Sequence, residues 1–496
     1  MDIGTLVRRA ARDFGDRPAV VCGKETLSFV QFDERTERLA NGLLDSGLQP
    51  GDSVGLLLPN GIDLVVAYYA LAKAGLVRVS LNFRDIEEDQ RYKLRDSGAR
   101  ALIATQPYRD AVELALDPEQ TRALTNRSPA TPCSVRCKPD DLTRIAYTGA
   151  TTGRSKGVRL TYAIETALLR NFLVDLIPDV APGDRMLHAA PMTHASGSFF
   201  LPHLVRGGCN YLMERFEPGE FLQMVQEVDP TCTFLVPTMI SMIIDAPEAR
   251  RGVARSLRHL CYGASPIART VAEKAEAVFG KVLTQTYGQT EAPMTITLLR
   301  RDEHDRFGSA GRPYTFVEVE IHDRDGNRVP DGEEGEVVVR GDIVTPGYLN
   351  REKETEKTFR GGWLHTGDIG RFDGEGFLYL LDRMNDMIIS GGFNVYPREI
   401  EEFLFRHPKV SQVQVFGVPD ARFGEEVCAW IVLKAGEQAT EDEIRAQGRE
   451  RIAHYKVPRY VRFVQELPMT VTGKAQKFVM RERMLSELGL AEHKSA

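Results

Sequence analysis

Two tryptophans, seven cysteines and ten histidines are few for a chain of 496 residues, and each scarcity removes a class of protein. An odd, sparse set of thiols does not make a disulfide framework. Cys133 and Cys137 lie close together, but no second Cys or His pair follows them, so a zinc site is not expected. Excess positive charge is also missing. Lys and Arg number 63 against 70 Asp and Glu, a net charge of −7, which excludes a protein devoted to a nucleic-acid backbone. The longest apolar run, residues 234–244, holds Pro237 and is too short to span a bilayer. No apolar h-region follows Arg8 and Arg9, so no secretory leader is expected. Internal repeats and low-complexity tracts do not occur. These absences point to a cytoplasmic protein with reduced thiols, no nucleic-acid partner and no transmembrane segment.

What remains is ordinary globular material, 42% hydrophobic and 27% charged. At about 150 residues per folding unit, the length allows roughly two to four units. A strand-like run at 53–58 stops at Pro59-Asn60, and 63–74 spaces Leu64, Val65, Ala67, Tyr68 and Leu71 along one helix face. Short strands are predicted at 77–81, 101–104 and 257–262, and a helix at Arg269–Phe279. The polar, Pro-rich stretch 117–140 reads as a connecting loop. Strands alternating with helices predict an α/β protein with doubly wound sheets. From about 311 to 384, alternating strands at 317–321 and 336–340 between Asp-Gly and Asn turns predict a small β subdomain. Helices at 400–406 and 442–453 and strands at 413–416 and 428–433 predict a small α/β C-terminal domain. The expected division is a large N-terminal domain, 1–384, and a small mobile one, 385–496.

Four clusters carry chemistry. After a strand at 144–146 runs Tyr147-Thr148-Gly149-Ala150-Thr151-Thr152-Gly153-Arg154-Ser155-Lys156-Gly157. Small residues, hydroxyls and a lysine suit a loop whose backbone N–H groups wrap phosphates. It is not a Walker loop, because Gly149 and Gly153 are too close and Lys156 follows no glycine; a flexible turn is the alternative. Tyr287-Gly288-Gln289-Thr290-Glu291 joins an aromatic, a tight turn, a hydroxyl and a carboxylate, able to stack a base and hold Mg²⁺. In Thr366-Gly367-Asp368 a turn carboxylate can accept both hydroxyls of a ribose, although an Asp after Gly is more often only a turn. Thr470-Val471-Thr472-Gly473-Lys474 presents a lysine on a loop, where most lysines only solvate a surface.

In order and spacing these clusters resemble the adenylate-forming (ANL) superfamily of acyl-CoA synthetases, peptide-synthetase adenylation domains and luciferases. The first resembles its Tyr-Thr-Ser-Gly-Thr-Thr-Gly-x-Pro-Lys-Gly, the second its Tyr-Gly-x-Thr-Glu and the third its Thr-Gly-Asp. Residues 382–401 resemble its hinge and the motif that follows, so the likeness covers essentially the whole chain. It implies two half-reactions. A carboxylate attacks the α-phosphate of MgATP to give acyl-AMP and pyrophosphate. The C-terminal domain then rotates about a hinge at Asn385, and a thiol displaces AMP.

The resemblance also implies roles. Thr148, Gly149, Ala150, Thr151, Thr152, Gly153 and Lys156 would cradle the ATP phosphates. Gly263, Ala264, Ser265, Tyr287, Gly288, Gln289 and Thr290 would hold AMP, with Thr290 at the α-phosphate, and Asp368 and Arg383 would hold its ribose. Glu291 would ligand Mg²⁺, and His194 would sit beside the acyl carboxylate. Lys474 would be the cation that stabilises the adenylation transition state. Too few residues follow Lys474 for a fused carrier domain, so coenzyme A is the expected thiol. Gly391 and Gly392 would let the backbone approach its pantetheine. Phe423 and Tyr455 would stack on its adenine, with Lys456 and Arg459 near its phosphates; ordinary surface packing is the alternative for these four.

The sequence departs from the family in the first cluster. Gly149 stands for the family's Ser, Ala150 for its Gly and Ser155 for its Pro, and Asn385 stands where Asp or Lys is common. A hydrogen bond to a charged group is worth about 1.5–3 kcal/mol. An alanine at a positive-φ position costs about 1–2 kcal/mol. Adenylation is therefore expected to be slowed by roughly 10²–10⁴-fold, with thiolation spared. Carried further, the chain would only pass acyl groups to CoA from acyl-AMP made by a separate adenylating enzyme; the retained Lys474 argues against this. Glu291, Asp368 and Lys474 argue against a non-catalytic nucleotide-binding relic, and Gly391-Gly392 against a luciferase-like oxygenase. Small residues at 195–198 and 263–265 predict a bulky apolar acid: fatty, aryl or polycyclic. A homodimer is left open.

Overall fold

The computed structural model describes residues 2–83, 85–148, 154–384, 386–391, 393–420, 422–449, 451–469 and 475–490. The chain forms two compact units. One comprises Met1–Thr148, Ser155–Val319 and Val338–His365; the other Gly149–Arg154, Glu320–Val337 and Thr366–Ala496. The architecture is mixed α/β, with a large N-terminal and a small C-terminal domain.

The first unit holds a six-stranded sheet ordered Leu114–Leu116, Ala99–Ala104, Ser53–Leu57, Val77–Ser80, Leu142–Tyr147 and Gly157–Thr161. Its strands pair in parallel except the last, which folds back antiparallel on Leu142–Tyr147. A second sheet runs in parallel through Leu283–Tyr287, His259–Gly263, Cys232–Leu235, Arg185–His188, Cys209–Leu212 and Pro18–Cys22. Helix Ile62–Ala74 packs with every residue except Asp63 buried. The stripe expected at 63–74 thus widens to the whole circumference, as in a helix covered on all sides. It ends at Gly75, which takes the left-handed conformation.

One sequence reading is resolved further and one changes. The apolar run at 234–244 splits at its proline: strand Cys232–Leu235 passes into helix Pro237–Ile244, with Pro237 at the first helical position. The loop expected at 117–140 contains helix Pro118–Arg127, opened by a reciprocal capping box between Asp117 and Gln120. Only Thr121, Leu124 and Thr125 of that helix are buried, too few to show a period. Helix Arg269–Phe279 forms as predicted.

In the second unit, strands Phe393–Val395, Ile388–Ser390, Gly424–Leu433 and Val410–Asp420 make a sheet, with Tyr460–Phe463 parallel to Gly424–Leu433. Helices Pro397–Phe405 and Glu441–Arg449 bury Ile400, Leu404 and Ile444 with Val415, Val427, Ala429 and Ile431. Strand Trp363–Phe372 pairs antiparallel with Leu378–Arg383, in the region read as a β subdomain. Among the described residues, no helix is long and apolar enough to cross a membrane.

Candidate active site

The phosphate-loop segment is held by its ends. Tyr147 pairs with Gly157 across two antiparallel strands, and the Thr148 N–H donates to the Lys156 carbonyl at 3.1 Å. The described framework on either side of the segment is therefore a pair of antiparallel strands, Leu142–Tyr147 and Gly157–Thr161. Gly149, Ala150, Thr151, Thr152 and Gly153 lie outside the described residues, as do Asn385, Gly392 and Lys474. The Lys156 ammonium sits 5.0 Å from the centroid of the Tyr348 ring.

Tyr348 also meets the second cluster. Its hydroxyl donates to Glu291 Oε1 at 2.8 Å, while the Glu291 carbonyl accepts the Thr345 N–H at 2.9 Å. Burial, then the Glu291 carboxylate, pushes the Tyr348 phenol well above its ordinary range, so it stays a donor. Lys156, Tyr348 and Glu291 thus form one chain of contacts. Sequence reading missed Tyr348, because its partner Glu291 lies 57 residues away along the chain.

Around Glu291 the backbone is crowded. A Cβ on Gly288 would lie 2.4 Å from the Met294 nitrogen, and one on Gly263 would lie 2.4 Å from the Thr286 carbonyl oxygen. Only glycine allows those approaches. Ala264 and Met294 have φ of 69° and 54°, a left-handed conformation that costs a non-glycine residue about 1–2 kcal/mol. Strain is thus stored beside Gly263 and Gly288, next to the residues expected to hold AMP. Tyr287 ends strand Leu283–Tyr287, and Thr290 and Glu291 follow half-buried. Ser265 is exposed, and the Gln289 N–H donates to the Ala292 carbonyl at 3.1 Å.

His194 precedes the short 3₁₀ helix Ala195–Phe199, and its Nδ1 lies 2.8 Å from Thr193 Oγ1. A Cβ on Gly197 would fall 2.1 Å from the Met192 carbonyl oxygen, which fixes glycine there on steric grounds. His194, Gly197 and Ser198 line a pocket with Tyr68, Tyr69 and Leu201, and also with Arg78, Arg144 and Glu165. The room expected from the small residues at 195–198 therefore borders charged groups.

In the second unit Asp368 and Arg383 are directly paired across two strands, and Arg383 Nε meets Asp368 Oδ1 at 2.8 Å. Gly367 turns at φ 71°, and its N–H donates to Glu336 Oε1 at 3.0 Å. Asp368 is buried, so its carboxylate is fixed in direction.

Gly391 has φ 58°, and its N–H donates to the Phe423 carbonyl at 2.8 Å. Tyr455 stacks on Phe393, ring centroids 4.6 Å apart and planes 11° apart, with Phe393 55% exposed. Lys456 pairs with Glu399 at 2.6 Å, and Arg459 with Glu426 at 3.1 Å. Both expected CoA cations are thus engaged by carboxylates, through solvent-screened pairs.

Among the described residues, no three His, Cys, Asp or Glu side chains gather to hold a metal. Glu291 could supply one hard oxygen ligand. That fits Mg²⁺ held largely by substrate phosphates and water, as this ion usually is.

A large α/β domain followed by a small one, with the matches below, defines an adenylate-forming enzyme. Residues 7–349 match the model of the AMP-binding enzyme family, and 399–474 that of the AMP-binding enzyme C-terminal domain. The chain belongs to the AMP-binding enzyme family. It is 38% identical to a feruloyl-CoA synthase of Amycolatopsis sp, over 97% of this chain and 99% of that protein. ATP-bound MatB from Rhodopseudomonas palustris superposes with a TM-score of 0.92 at 28% identity, covering 98% of this chain and 100% of MatB. The o-succinylbenzoate CoA synthetase MenE from Bacillus subtilis, in complex with its acyl-adenylate intermediate, gives 0.89 at 30% identity, covering 96% and 97%.

Proposed function

We propose that this protein is an AMP-forming acyl-CoA ligase, joining a carboxylic acid to coenzyme A through an acyl-adenylate. It is an acid–thiol ligase that uses ATP, Mg²⁺ and CoA. The observation that carries the reading is the Lys156–Tyr348–Glu291 chain, which brings a cation and a fixed carboxylate to one tyrosine, with Glu291 on the segment between the close-packed Gly288 and the strained Met294. The feruloyl-CoA synthase and the acyl-adenylate complex of MenE support it.

Each residue then has a task. Glu291, held by Tyr348, offers its carboxylate to the metal of MgATP; Thr290 meets the α-phosphate and Tyr287 packs on adenine. Asp368 accepts ribose hydroxyls, with Arg383 beside it. Lys474 supplies the cation for the phosphoryl transition state, a contribution worth about 3 kcal/mol. His194 stands beside the acyl carboxylate, and Gly391 and Gly392 admit pantetheine. The acid has a bulky apolar body, a reading that rests on the small side chains at 195–198 and 263–265. Seven free thiols suit a reducing cytosol.

A finer reading rests on Gly149 and Ala150: adenylation is the slow half-reaction, and the enzyme accepts acyl-AMP from a separate adenylating partner. The test is a panel of acids and synthetic acyl-adenylates with CoA, each with and without MgATP. Thioester formation supports the ligase, and no thioester from any of them rejects it. Pyrophosphate release keeping pace with thioester formation rejects the slow-adenylation reading.

A further inference from the structure

The pocket lined by His194 and Ser198 carries unbalanced charge. Arg78 and Arg144 are direct partners on the parallel strands Val77–Ser80 and Leu142–Tyr147, so their side chains leave the same face of the sheet. Like charges placed so repel and need compensation. One carboxylate answers them: Glu165, from helix Tyr162–Asn171, meets Arg144 Nε at 2.7 Å without the alignment of a hydrogen bond. Arg78 lies over the Tyr68 ring, 3.9 Å from its centroid. Its Nε is buried and has no hydrogen-bond partner among the described residues. Burial draws its pKa down, yet an arginine this basic keeps its proton. Two cations and one anion leave a single positive charge uncompensated, and a wholly apolar ligand would bury it unpaired at considerable cost.

We propose that this pocket selects acids bearing a second carboxylate remote from the reacting one, with Arg78 as the specificity-determining partner of that distal group. The substrate class is then a dicarboxylic acid whose distal carboxylate enters this small pocket beside Tyr68, its apolar body staying outside, while the Arg144–Glu165 pair positions Arg78. This rests on the acyl-CoA ligase reading and narrows its acid.

The test uses the full chain with CoA, MgATP and matched sets on one carbon skeleton: a dicarboxylic acid, its distal monomethyl ester and the monocarboxylic acid. The same sets as synthetic acyl-adenylates bypass slow adenylation. A charge-assisted contact of 1.5–3 kcal/mol sets the expected kcat/KM preference for the free dicarboxylic acid at about 10- to 150-fold. Arg78→Met moves that ratio toward one, mainly through KM, and Arg78→Lys keeps part of it. A wild-type enzyme that prefers the ester or the monocarboxylic acid overturns the proposal even if Arg78→Met does not fold, as does a ratio unmoved in a folded Arg78→Met. Thioester without the preference leaves the ligase standing and removes only the pocket assignment. No thioester from any compound removes both.

Discussion

Tyr348 donates its hydroxyl to Glu291 Oε1 at 2.8 Å while its ring faces the Lys156 ammonium. The phenol therefore aims a carboxylate and takes a cation's field on its face. Replacing it by Phe leaves the ring and removes the donor. Hydrogen bonds to charged groups are worth about 1.5–3 kcal/mol, so Tyr348→Phe should raise the KM for MgATP by about tenfold or more. Initial rates of pyrophosphate release against MgATP check this, with conversion of synthetic acyl-AMP as the control expected to change little.

Lys474→Ala separates the half-reactions. Loss of one positioned cation at a developing phosphoryl charge costs about 3 kcal/mol, or roughly 100-fold. Pyrophosphate release should fall by that factor while acyl-AMP and CoA still give thioester. An equal fall in both would assign Lys474 to folding or to CoA.

Restoring the family's loop residues should speed the first step. Gly149→Ser with Ala150→Gly returns a hydroxyl and removes a Cβ, and pyrophosphate release should rise about tenfold or more. Stopped-flow detection of the pyrophosphate burst is the measurement. An unchanged burst would mean the wild-type loop is already competent.

Gly391→Ala tests the route to CoA. The residue has φ 58°, and a Cβ there would stand 3.3 Å from Phe423 Cδ1. The strain is about 1–2 kcal/mol. Thioester formation from acyl-AMP should slow, with a raised KM for CoA, and pyrophosphate release should hold. A matching loss in both would point to general destabilisation.

Acid should weaken the fold through its buried imidazoles. His188, fully buried between Ser196 and Asn210, has its pKa drawn down by burial from 6.5 to about 3, and burial moves His259 and His304 the same way. Between those two values the unfolded chain binds the proton and the folded chain does not. Stability is therefore intact above pH 6.5 and falls as pH drops toward 3. Urea unfolding across that window should show the slope, and His188→Gln should make it shallower by about one proton.

Much of this was legible in the chain itself. Apolar runs closed by Gly, Pro or Asn mark strands such as Ser53–Leu57, and helix Arg269–Phe279 declares its own ends. Helix Pro118–Arg127 did not, because a surface helix with three buried residues has almost no period; its capping box was the readable sign. Tyr287, Glu291 and Asp368 stood out as local motifs. Tyr348 joins Glu291 from far along the chain, and Arg78 meets Arg144 only because their strands pair in parallel. Nor does composition reveal positive φ: Ala264 and Met294 look ordinary in sequence and are strained in the fold.

The ion pair between Asp368 and Arg383 has a thermodynamic corollary. A sugar that claims Asp368 competes with a guanidinium on the partner strand, and the Met384 N–H is itself tied to the Gly367 carbonyl at 2.8 Å. Loosening that tether costs energy, so on the proposed role of Asp368 a change that stiffens residues 383–384 would couple to sugar binding, and the coupling would be reciprocal. Under that role, nucleotide release and the freedom of residues 383–384 would be two readings of one equilibrium.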